Sequence, residues 1–422
     1  MTSGRAFDHV LRSGKKAWRS LAPRSMRSLA QPVVAYLVER RVDVGLSALE
    51  PSHAPGPLIV SGLLAETKGV SEAARLTVAG LDAAGFAPIA HDLRRMLEIG
   101  PGGGERLPTE APGGVWVLHV NAPEAIHALA YMNPDSWRGR YRIGYWAYEL
   151  PKIPASWTRA ARAFHELWAP SQFVADAIRA SGVRTLVRVM PHPVALAAPK
   201  AKIDRARHDI PEGVFAVLAM GDLRSSAARK NLAGAIDIYR QAFPQNDGRS
   251  RLVIKVQSAD ENLGFRAMAD QAAAGRTDIT FMSDTLDREA MHSLIASADV
   301  LLSPHRAEGY GLALAEAFLM DVPALATGWS GNVDFMAEVP QLTIASTLVP
   351  VRDPFGVYRA PGLSWAEPDT ADAAAKLRAL AESADLRRDL AAQGRRAVEK
   401  QLGAWSRGAL MATALGPLAG NS

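Results

Sequence analysis

The sequence predicts an α/β protein made of two doubly wound domains that face each other across a cleft. Short apolar runs bounded by glycine, proline or polar residues alternate with segments of helical periodicity, and this alternation occurs twice along the chain. Residues 192–202, with two prolines and no clear periodicity, separate the two series. At 422 residues the chain is also too long for a usual single core.

The first series predicts a domain over 57–196, after a leader over 1–56. Its strand candidates are short and apolar, as expected of a parallel sheet covered on both faces. They are 57–62, 87–91, 115–120, 141–146, 166–169 and 186–190. The first helix is predicted over 71–84, where apolar residues recur at helical spacing and Gly85 follows as a stop signal.

The second series predicts a domain over 197–386, followed by terminal helices over 387–422. The predicted strands are 214–220, 251–256, 279–282, 300–303 and 323–326. The predicted helices are 232–243, one near 265–274, 287–298 and 313–320. Because open α/β sheets bind ligands at the carboxyl ends of their strands, we expect the ligand in the cleft between the two sheets.

Composition excludes several classes of protein. The chain has no cysteine, which excludes disulfides and thiolate metal sites. No apolar run approaches the roughly 20 residues of a membrane-spanning helix. The net charge at pH 7 is only +5, and no basic stripe is interleaved with aromatic residues, so nucleic acid is not an expected partner. We therefore expect a cytoplasmic protein.

The leader is the most basic part of the chain. Its first fifty residues hold nine Lys or Arg residues against four Asp or Glu residues, with apolar residues at loosely helical spacing. A basic amphipathic segment can bind an anionic membrane surface. The alternative is a solvated or partly disordered leader. Both interpretations stay open, and the first predicts peripheral binding to the inner face of the cell membrane.

The most informative stretch runs from residue 303 to residue 336. A predicted strand leads into the loop Glu308-Gly309-Tyr310-Gly311 and then into a helix that carries Glu316. The glycines allow close approach of the backbone to a ligand, and the first amides of the helix attract phosphate. Glu316 can reach ribose hydroxyls and Glu308 a sugar hydroxyl. Taken alone, the loop would more often be an ordinary turn beside a solvated glutamate.

A second charged segment, 221–231, directly follows the first strand of the second series. Arg224 and Lys230 lie six positions apart in it, and Arg229 is a less certain neighbour. A departing nucleoside diphosphate gains negative charge, which preorganised cations stabilise. A solvated basic loop is the alternative, and the position after the strand favours the functional interpretation.

No metal motif accompanies these segments. No two aspartates are separated by a single residue, and the ten histidines show no ligand spacing such as HExxH. The sequence therefore predicts a metal-independent site with no cofactor, in which the cations of 221–231 neutralise the leaving group.

Both segments resemble glycosyltransferase family 4. That family has two glutamates eight positions apart around an EGFG-like loop, and an Arg and a Lys at the spacing of Arg224 and Lys230. The turn at 329–332 (WSGN) resembles it too. Segments 144–157, 167–173 and 365–369, with Tyr358, resemble a bacterial polysaccharide-assembly subgroup. The resemblance covers about 57–410.

The resemblance implies the GT-B fold, with two Rossmann-like domains, and a retaining hexosyltransferase. The donor would be a UDP- or GDP-activated sugar of the mannose or glucose type. The acceptor would be a lipid-linked glycan in exopolysaccharide, capsule or O-antigen assembly. In this scheme Arg224 and Lys230 stabilise the diphosphate, Glu316 holds the ribose and Glu308 orients the sugar, with attack on the front face.

In the first domain the resemblance implies weaker assignments. The loop 66–70 would lie near the donor phosphates and acceptor through Gly69, although it is less glycine-rich than the family's usual form. His119, which ends a predicted strand, would contact the reacting sugar or be structural. Glu149 would bind acceptor or cap a helix.

Further donor contacts are expected in the second domain. Leu312 lies beside the glycine loop, and Met282 with Ser283 would hold the nucleobase against the backbone. His305 is expected only to pack this loop. For the aromatic residues Trp146, Tyr148 and Trp157, the sequence favours a core position over stacking on a sugar.

Two other interpretations remain. One is a sugar-nucleotide 2-epimerase or a phosphorylase on a similar two-domain scaffold. The other is a non-catalytic module that binds a glycan or a partner protein, which the retained glutamates and cations disfavour because such a module needs no diphosphate site.

Overall fold

The computed structural model describes residues 42–43, 54–66, 69–99, 105–197, 201–257, 271, 275–354, 356–358 and 361–419. Nearly all of the predicted leader lies outside these described residues. So do nearly all of the helix predicted near 265–274 and part of the loop 66–70.

The first domain contains a six-stranded parallel sheet with the strand order β2-β1-β3-β4-β5-β6. β1, β3 and β5 are buried at every residue, which is why their sequences are continuous apolar runs. The strands are β1 Leu58–Gly62, β2 Ile89–Asp92, β3 Val115–His119, β4 Tyr141–Tyr145, β5 Glu166–Ala169 and β6 Leu186–Val189. The helices are α1 Gly69–Ala83, α2 Arg94–Ile99, α3 Ala122–Tyr131, α4 Ala155–Ala160 and α5 Gln172–Ala180.

The second domain has its own six-stranded parallel sheet, in the order β12-β11-β10-β7-β8-β9. Its strands are β7 Phe215–Asp222, β8 Ser250–Gln257, β9 Ile279–Met282, β10 Val300–Ser303, β11 Ala324–Thr327 and β12 Thr343–Ile344. Its helices are α6 Ala227–Lys230, α7 Leu232–Ala242, α8 Arg288–Ala296, α9 Leu312–Leu319, α10 Val333–Met336 and α11 Thr370–Glu382.

An antiparallel pair, β13 Ser346–Pro350 with β14 Ser364–Pro368, is attached to the second domain. The sequence analysis did not predict it. No residue of β13 is buried, so the strand lacks the apolar run that marks the other strands. Its partner β14 contributes the buried Trp365, which packs with Leu150 of the first domain and Ala307.

The predicted strands are all present, with ends that differ by at most two residues. β2 begins later than predicted because Ala87 has a φ of 44°, which an extended strand does not accommodate. β7 continues beyond Met220 because its pairing with β8 extends to Asp222 and Gln257. Both differences arise from backbone pairing and turn geometry, which apolar patterning does not specify.

The C-terminal segment packs on both domains. α12, Ala384–Lys400, lies on α9, where Gly394 allows contact so close that an added Cβ would meet Phe318 at 2.2 Å. The predicted boundary at residue 387 falls inside this helix. Trp405 then donates from Nε1 to the carbonyl of Pro191, and α13 Arg407–Met411 and α14 Leu415–Leu418 join the apolar core around β1. The last described residues thus pack on the first domain.

Candidate functional site

A cavity of about 850 Å³ lies between the two domains. Its volume is in the range of small-molecule sites. β7 and β10, where the second sheet reverses its strand order, end beside it, as expected of a doubly wound sheet. Most residues predicted for the site line this cavity. They are Gly69, His119, Glu149, Arg224, Arg229, Lys230, Glu308, Gly309, Tyr310, Gly311, Leu312 and Glu316.

Met282 and Ser283 are not among the lining residues, which differs from the prediction. β9 is the edge strand of its sheet, and the partly buried Met282 packs against the domain core. The chain meets the cavity only a few residues later, over 285–288. In this part of the chain the cavity is thus lined by the start of α8 and the residues just before it, and not by Met282 and Ser283.

Hydrogen bonds from both domains hold the glycine loop between β10 and α9. Gly311 has a φ of 96°, a conformation that favours glycine, and it precedes the first residue of α9. The Ser171 hydroxyl of the first domain donates to the Gly309 carbonyl at 2.7 Å. The amide of Gly331 donates to the Glu308 carbonyl at 2.9 Å. The loop is thus held in place at Glu308 and Gly309.

The segment 221–231 is bonded directly to this loop. Asn231, at a φ of 53°, donates from its side chain to the Pro304 carbonyl at 2.9 Å. The Arg229 guanidinium donates from Nη1 to the Ala307 carbonyl at 2.7 Å. The two segments bring Lys230 and Glu308, which are 78 positions apart in the sequence, into one cluster with Arg229.

Glu308 lies at the centre of this charge cluster. Its Oε1 accepts from Lys230 Nζ, and its Oε2 lies 3.2 Å from Arg229 Nη1. Burial acts to raise the pKa of Glu308, but the adjacent Lys230 and Arg229 outweigh it and hold that pKa well below its usual value. Glu308 is therefore ionised at neutral pH.

Arg224 extends from a short turn after β7 and is partly exposed. Asp222 caps this turn by accepting from the Arg224 amide at 3.0 Å, and it pairs with the guanidinium at 3.2 Å. Both side chains line the cavity. This pairing holds a cation at the edge of the cavity.

Glu316 lies on α9 with its Oε1 at 3.4 Å from Nε2 of His292, on α8. Both residues line the cavity, as do Leu312 and Ala313 at the start of α9. The first backbone amides of a helix lack intrahelical partners and attract anions. A carboxylate and a helix N-terminus thus face the same space.

Aromatic and histidine rings form the first-domain wall. His119, at the end of β3, stacks on Tyr145 with ring centroids 4.0 Å apart, and Tyr145 stacks on His192 at 5.3 Å. Tyr310 of the glycine loop meets His192 at 4.9 Å with an edge-on ring. All four side chains are buried, and all line the cavity. Ring packing therefore connects the wall to the second domain.

His119 is neutral and held in one tautomer. Burial, with a smaller contribution from His192, lowers its pKa well below the usual value. Thr77 donates its hydroxyl to the Ala73 carbonyl and lies 3.0 Å from His119 Nδ1. The hydroxyl therefore accepts from Nδ1–H, which leaves Nε2 of His119 as a hydrogen-bond acceptor.

Several lining residues were not predicted from the sequence. Tyr145 is the last residue of β4, and His192 follows β6. A polar or aromatic residue at the carboxyl end of a predicted strand would have indicated both of them. Lys255 lies within β8 and is only 3% exposed, a position where an apolar residue is expected. Glu72 and Arg288, which pair across the cleft at 2.9 Å, carry no local signal.

The remaining residues singled out in the sequence are structural. His305 is fully buried and joins Ser303 and Asn332 through its two ring nitrogens, each at 3.1 Å. The aromatic residues Trp146, Tyr148 and Trp157 pack with one another and do not line the cavity. Within the described ranges no group of three or more His, Asp or Glu residues is placed to hold a metal ion.

A family model described as "Family 4 Glycosyltransferase in conflict systems" matches residues 174–410, which is more than half of the chain. The chain therefore belongs to glycosyltransferase family 4, and it is a glycosyltransferase. This confirms the resemblance drawn from the EGYG loop and the segment 221–231. No curated protein matches the chain.

Several solved structures share the fold. One, described as trehalose-6-phosphate from E. coli bound with UDP-2-fluoro glucose, has 14% identity and a TM-score of 0.57, covering 85% of this chain and 99% of that chain. The α,α-trehalose 6-phosphate synthase from Burkholderia multivorans has 15% identity and a TM-score of 0.52, covering 84% and 78%. The N-terminal domain of trehalose-6-phosphate phosphatase from Candida albicans has 9% identity and a TM-score of 0.52, covering 72% and 70%. These matches confirm the GT-B fold.

Among the described helices, none has the length and apolar character needed to span a bilayer.

Proposed function

We propose that this glycosyltransferase moves a hexosyl unit from a nucleoside diphosphate sugar to a glycan hydroxyl, with retention of configuration and without a metal ion. One observation supports this above the others. A single interdomain cavity is lined by Arg224 and Lys230 together with Glu308 and Glu316. This set provides cations for a diphosphate, a carboxylate for ribose and a second carboxylate for a sugar.

The cations act on the leaving group. As the glycosidic bond breaks, its electron pair goes to the β-phosphate oxygen, and the negative charge there grows. Lys230 and Arg224 stabilise that charge from fixed positions, and the amides at the start of α9 add their partial positive charge. Glu308 itself is poorly suited to form a covalent intermediate, because both of its carboxylate oxygens are held by cations.

The acceptor hydroxyl then attacks the anomeric carbon on the face that the diphosphate leaves, and a leaving phosphate oxygen takes the hydroxyl proton. Glu308 orients the sugar and the neutral His119 accepts a hydrogen bond from a sugar hydroxyl. One structural neighbour, a trehalose-6-phosphate synthase with a TM-score of 0.50, further supports retention. Its description refers to "enzymatic glycosyltransfer with retention".

In this proposal the donor sugar is activated by UDP or GDP. The E. coli neighbour was solved with UDP-2-fluoro glucose, which favours UDP and a glucose-type sugar. A lipid-linked acceptor in surface polysaccharide assembly is supported by the sequence resemblance alone. The description of the matching family refers to conflict systems and names no acceptor.

A thermal-shift panel of UDP, GDP, ADP and their sugars tests the donor site. A bound nucleotide raises the melting temperature by mass action, so one base series is expected to stand out. Transfer to a lipid extract or a soluble oligosaccharide is then measured with and without EDTA. EDTA-sensitive transfer would contradict metal independence, and absence of any nucleotide binding would contradict the function.

The same assay separates the rival activities. Conversion of the nucleotide sugar to an epimer without acceptor would indicate a 2-epimerase. Release of the sugar only in the presence of inorganic phosphate would indicate a phosphorylase.

A further inference from the structure

An interdomain contact lies beside the cavity, and the reaction proposed above does not use it. The Tyr358 hydroxyl donates to Glu149 Oε2 at 2.6 Å. Tyr358 belongs to the segment between β13 and β14 of the second domain, whereas Glu149 follows β4 of the first domain. The two residues therefore meet only when the domains are as close as they are here.

Glu149 also contacts the charge cluster around Glu308. Its other oxygen, Oε1, lies 3.9 Å from Nη2 of Arg229, whose Nη1 lies 3.2 Å from Glu308 Oε2. Glu308 Oε1 in turn accepts from Lys230 Nζ. Tyr358, Glu149, Arg229, Glu308 and Lys230 thus form one continuous series of contacts from the rim of the cavity to its cations.

Arg229 is the buried member that connects the two ends. Its side chain is only 3% exposed, and a charge so deeply buried needs partners on more than one side. Glu308 occupies one side of the guanidinium, the carbonyls of Ala307 and Ser225 two more, and Glu149 the side toward the first domain. Nη2 also donates to the Ser225 hydroxyl at 3.3 Å, so without Glu149 this edge of the guanidinium would keep a neutral partner but lose its carboxylate.

Apolar packing places the Tyr358 hydroxyl. The Tyr358 ring packs in the cluster of Leu150, Ala307 and Trp365, and lies edge-on to Tyr148 at 6.1 Å. Burial first, and then the nearby Glu149, raise the pKa of Tyr358 well above its usual value. The hydroxyl therefore keeps its proton at neutral pH and remains a donor to Glu149.

We infer that Tyr358 and Glu149 are positioning residues, which orient Arg229 and, through it, the carboxylate of Glu308 toward the donor sugar. The inference rests on the proposed function of Glu308. Because Glu149 lies in the first domain and the other members in the second, the contact is complete only in the closed arrangement. Closure of the two domains is thereby tied to alignment of the sugar-binding carboxylate.

Tyr358→Phe tests this, with Tyr148→Phe as the matched control. Both variants keep an aromatic ring in the same apolar cluster, and Tyr148 does not line the cavity. We expect Tyr358→Phe to lower kcat by about tenfold with the donor KM changed less than about twofold, since a misaligned carboxylate affects the transition state more than ground-state binding. Tyr148→Phe is expected to keep kcat within about twofold of the unaltered chain.

Glu149→Gln provides a second, independent variant, because glutamine still accepts from Tyr358 but carries no charge. If both residues act through Arg229, the double variant will lose no more activity than Glu149→Gln alone. A Tyr358→Phe enzyme with full kcat, or losses that simply add in the double variant, would overturn the inference while leaving the proposed function intact. Absence of transfer by the unaltered chain would overturn both.

Discussion

The two walls of the interdomain cavity are built from different chemistry. The second-domain wall carries ion pairs, in which Lys230 and Arg229 contact Glu308, and Arg224 contacts Asp222. The first-domain wall contains a stack of buried rings, with His119 and the rings beside it, and Glu72 and Glu149 also line it. The second-domain wall thus holds the cations proposed for a diphosphate together with Glu308, and the first-domain wall adds neutral hydrogen-bonding groups for sugar hydroxyls.

The difference follows from what each ligand part needs. A diphosphate requires cations that stay charged, and carboxylate partners keep such cations ionised and oriented in the absence of ligand. A hydroxyl needs a donor or an acceptor at fixed geometry, and a neutral histidine supplies it without the desolvation cost of a buried charge. Four changes test this division of roles between the walls.

Replacement of Lys230 by alanine is expected to have the largest effect. Removal of one preorganised cation from the leaving group costs roughly hundredfold or more in kcat/KM, about 3 kcal/mol of barrier. Steady-state transfer kinetics measure it. Lys376→Ala is the control, because Lys376 pairs with Asp372 away from the cavity. A loss of less than about tenfold would contradict the role assigned to Lys230.

Gly331→Ala is expected to disturb the second-domain wall through its backbone. An added Cβ would lie 2.1 Å from the Gly309 carbonyl oxygen, so the glycine loop must shift. We expect a loss of stability of about 2 kcal/mol, together with a loss of transfer of at least about tenfold. Thermal unfolding and kinetics measure the two losses. Gly403→Ala is the control because its Cβ would meet nothing within 4 Å, and equal behaviour of the two variants would contradict the prediction.

The buried His192 of the first-domain wall is expected to make the free energy of unfolding depend on pH. Burial lowers the pKa of His192 from 6.5 to about 3. Between these values the unfolded chain binds a proton at this residue that the folded chain does not, so the free energy of unfolding falls as the pH falls. The contribution is about 1.4 kcal/mol per pH unit for one such group.

His192→Gln removes this group and is expected to reduce the pH dependence between pH 6 and 4 by about that slope. Urea unfolding at a series of pH values measures the change. If the variant and the unaltered chain lost stability in parallel over this range, His192 would not be the buried neutral group described here.

The smallest effect is expected at the pair that joins the walls. Arg288 Nη2 lies 2.9 Å from Glu72 Oε1, but its side chain is 49% exposed, so solvent weakens the pair. Arg288→Ala is expected to cost about 0.5 to 1 kcal/mol, seen as a rise of about twofold to fivefold in donor KM that disappears at high salt. Arg395→Ala, at a surface pair with Asp321, is the control. An unchanged KM at low salt would show that the pair does not help to close the cavity.

Much of the candidate site could be predicted from the sequence because its parts are local. The EGYG loop and Glu316 lie within one strand–loop–helix unit that starts with β10, and Arg224 with Lys230 follow β7, the strand that pairs directly with β10. The carboxyl ends of strands in one parallel sheet lie at the same edge, so these residues are expected to lie close together. Met282 and Ser283 were misplaced relative to the cavity because β9 lies at the sheet's edge.

The first-domain contribution was harder to predict. His119 was found because it ends an apolar strand, but His192 and Tyr145 carry no motif of their own. The sequence pointed to Tyr358 and Glu149 separately, Tyr358 through the subgroup resemblance and Glu149 as a residue that would bind acceptor or cap a helix. Their hydrogen bond spans 209 positions in the chain and depends on how the two domains pack.

By itself the sequence determined the two parallel sheets, the family and the local segments that line the candidate site, because apolar periodicity and short motifs are properties of a few neighbouring residues. Only the tertiary structure decided which carboxylate neutralises which cation, that His119 and His192 are buried and neutral, and that Glu149 meets Tyr358. These properties depend on burial and on distances between segments far apart in the chain, which no local pattern encodes.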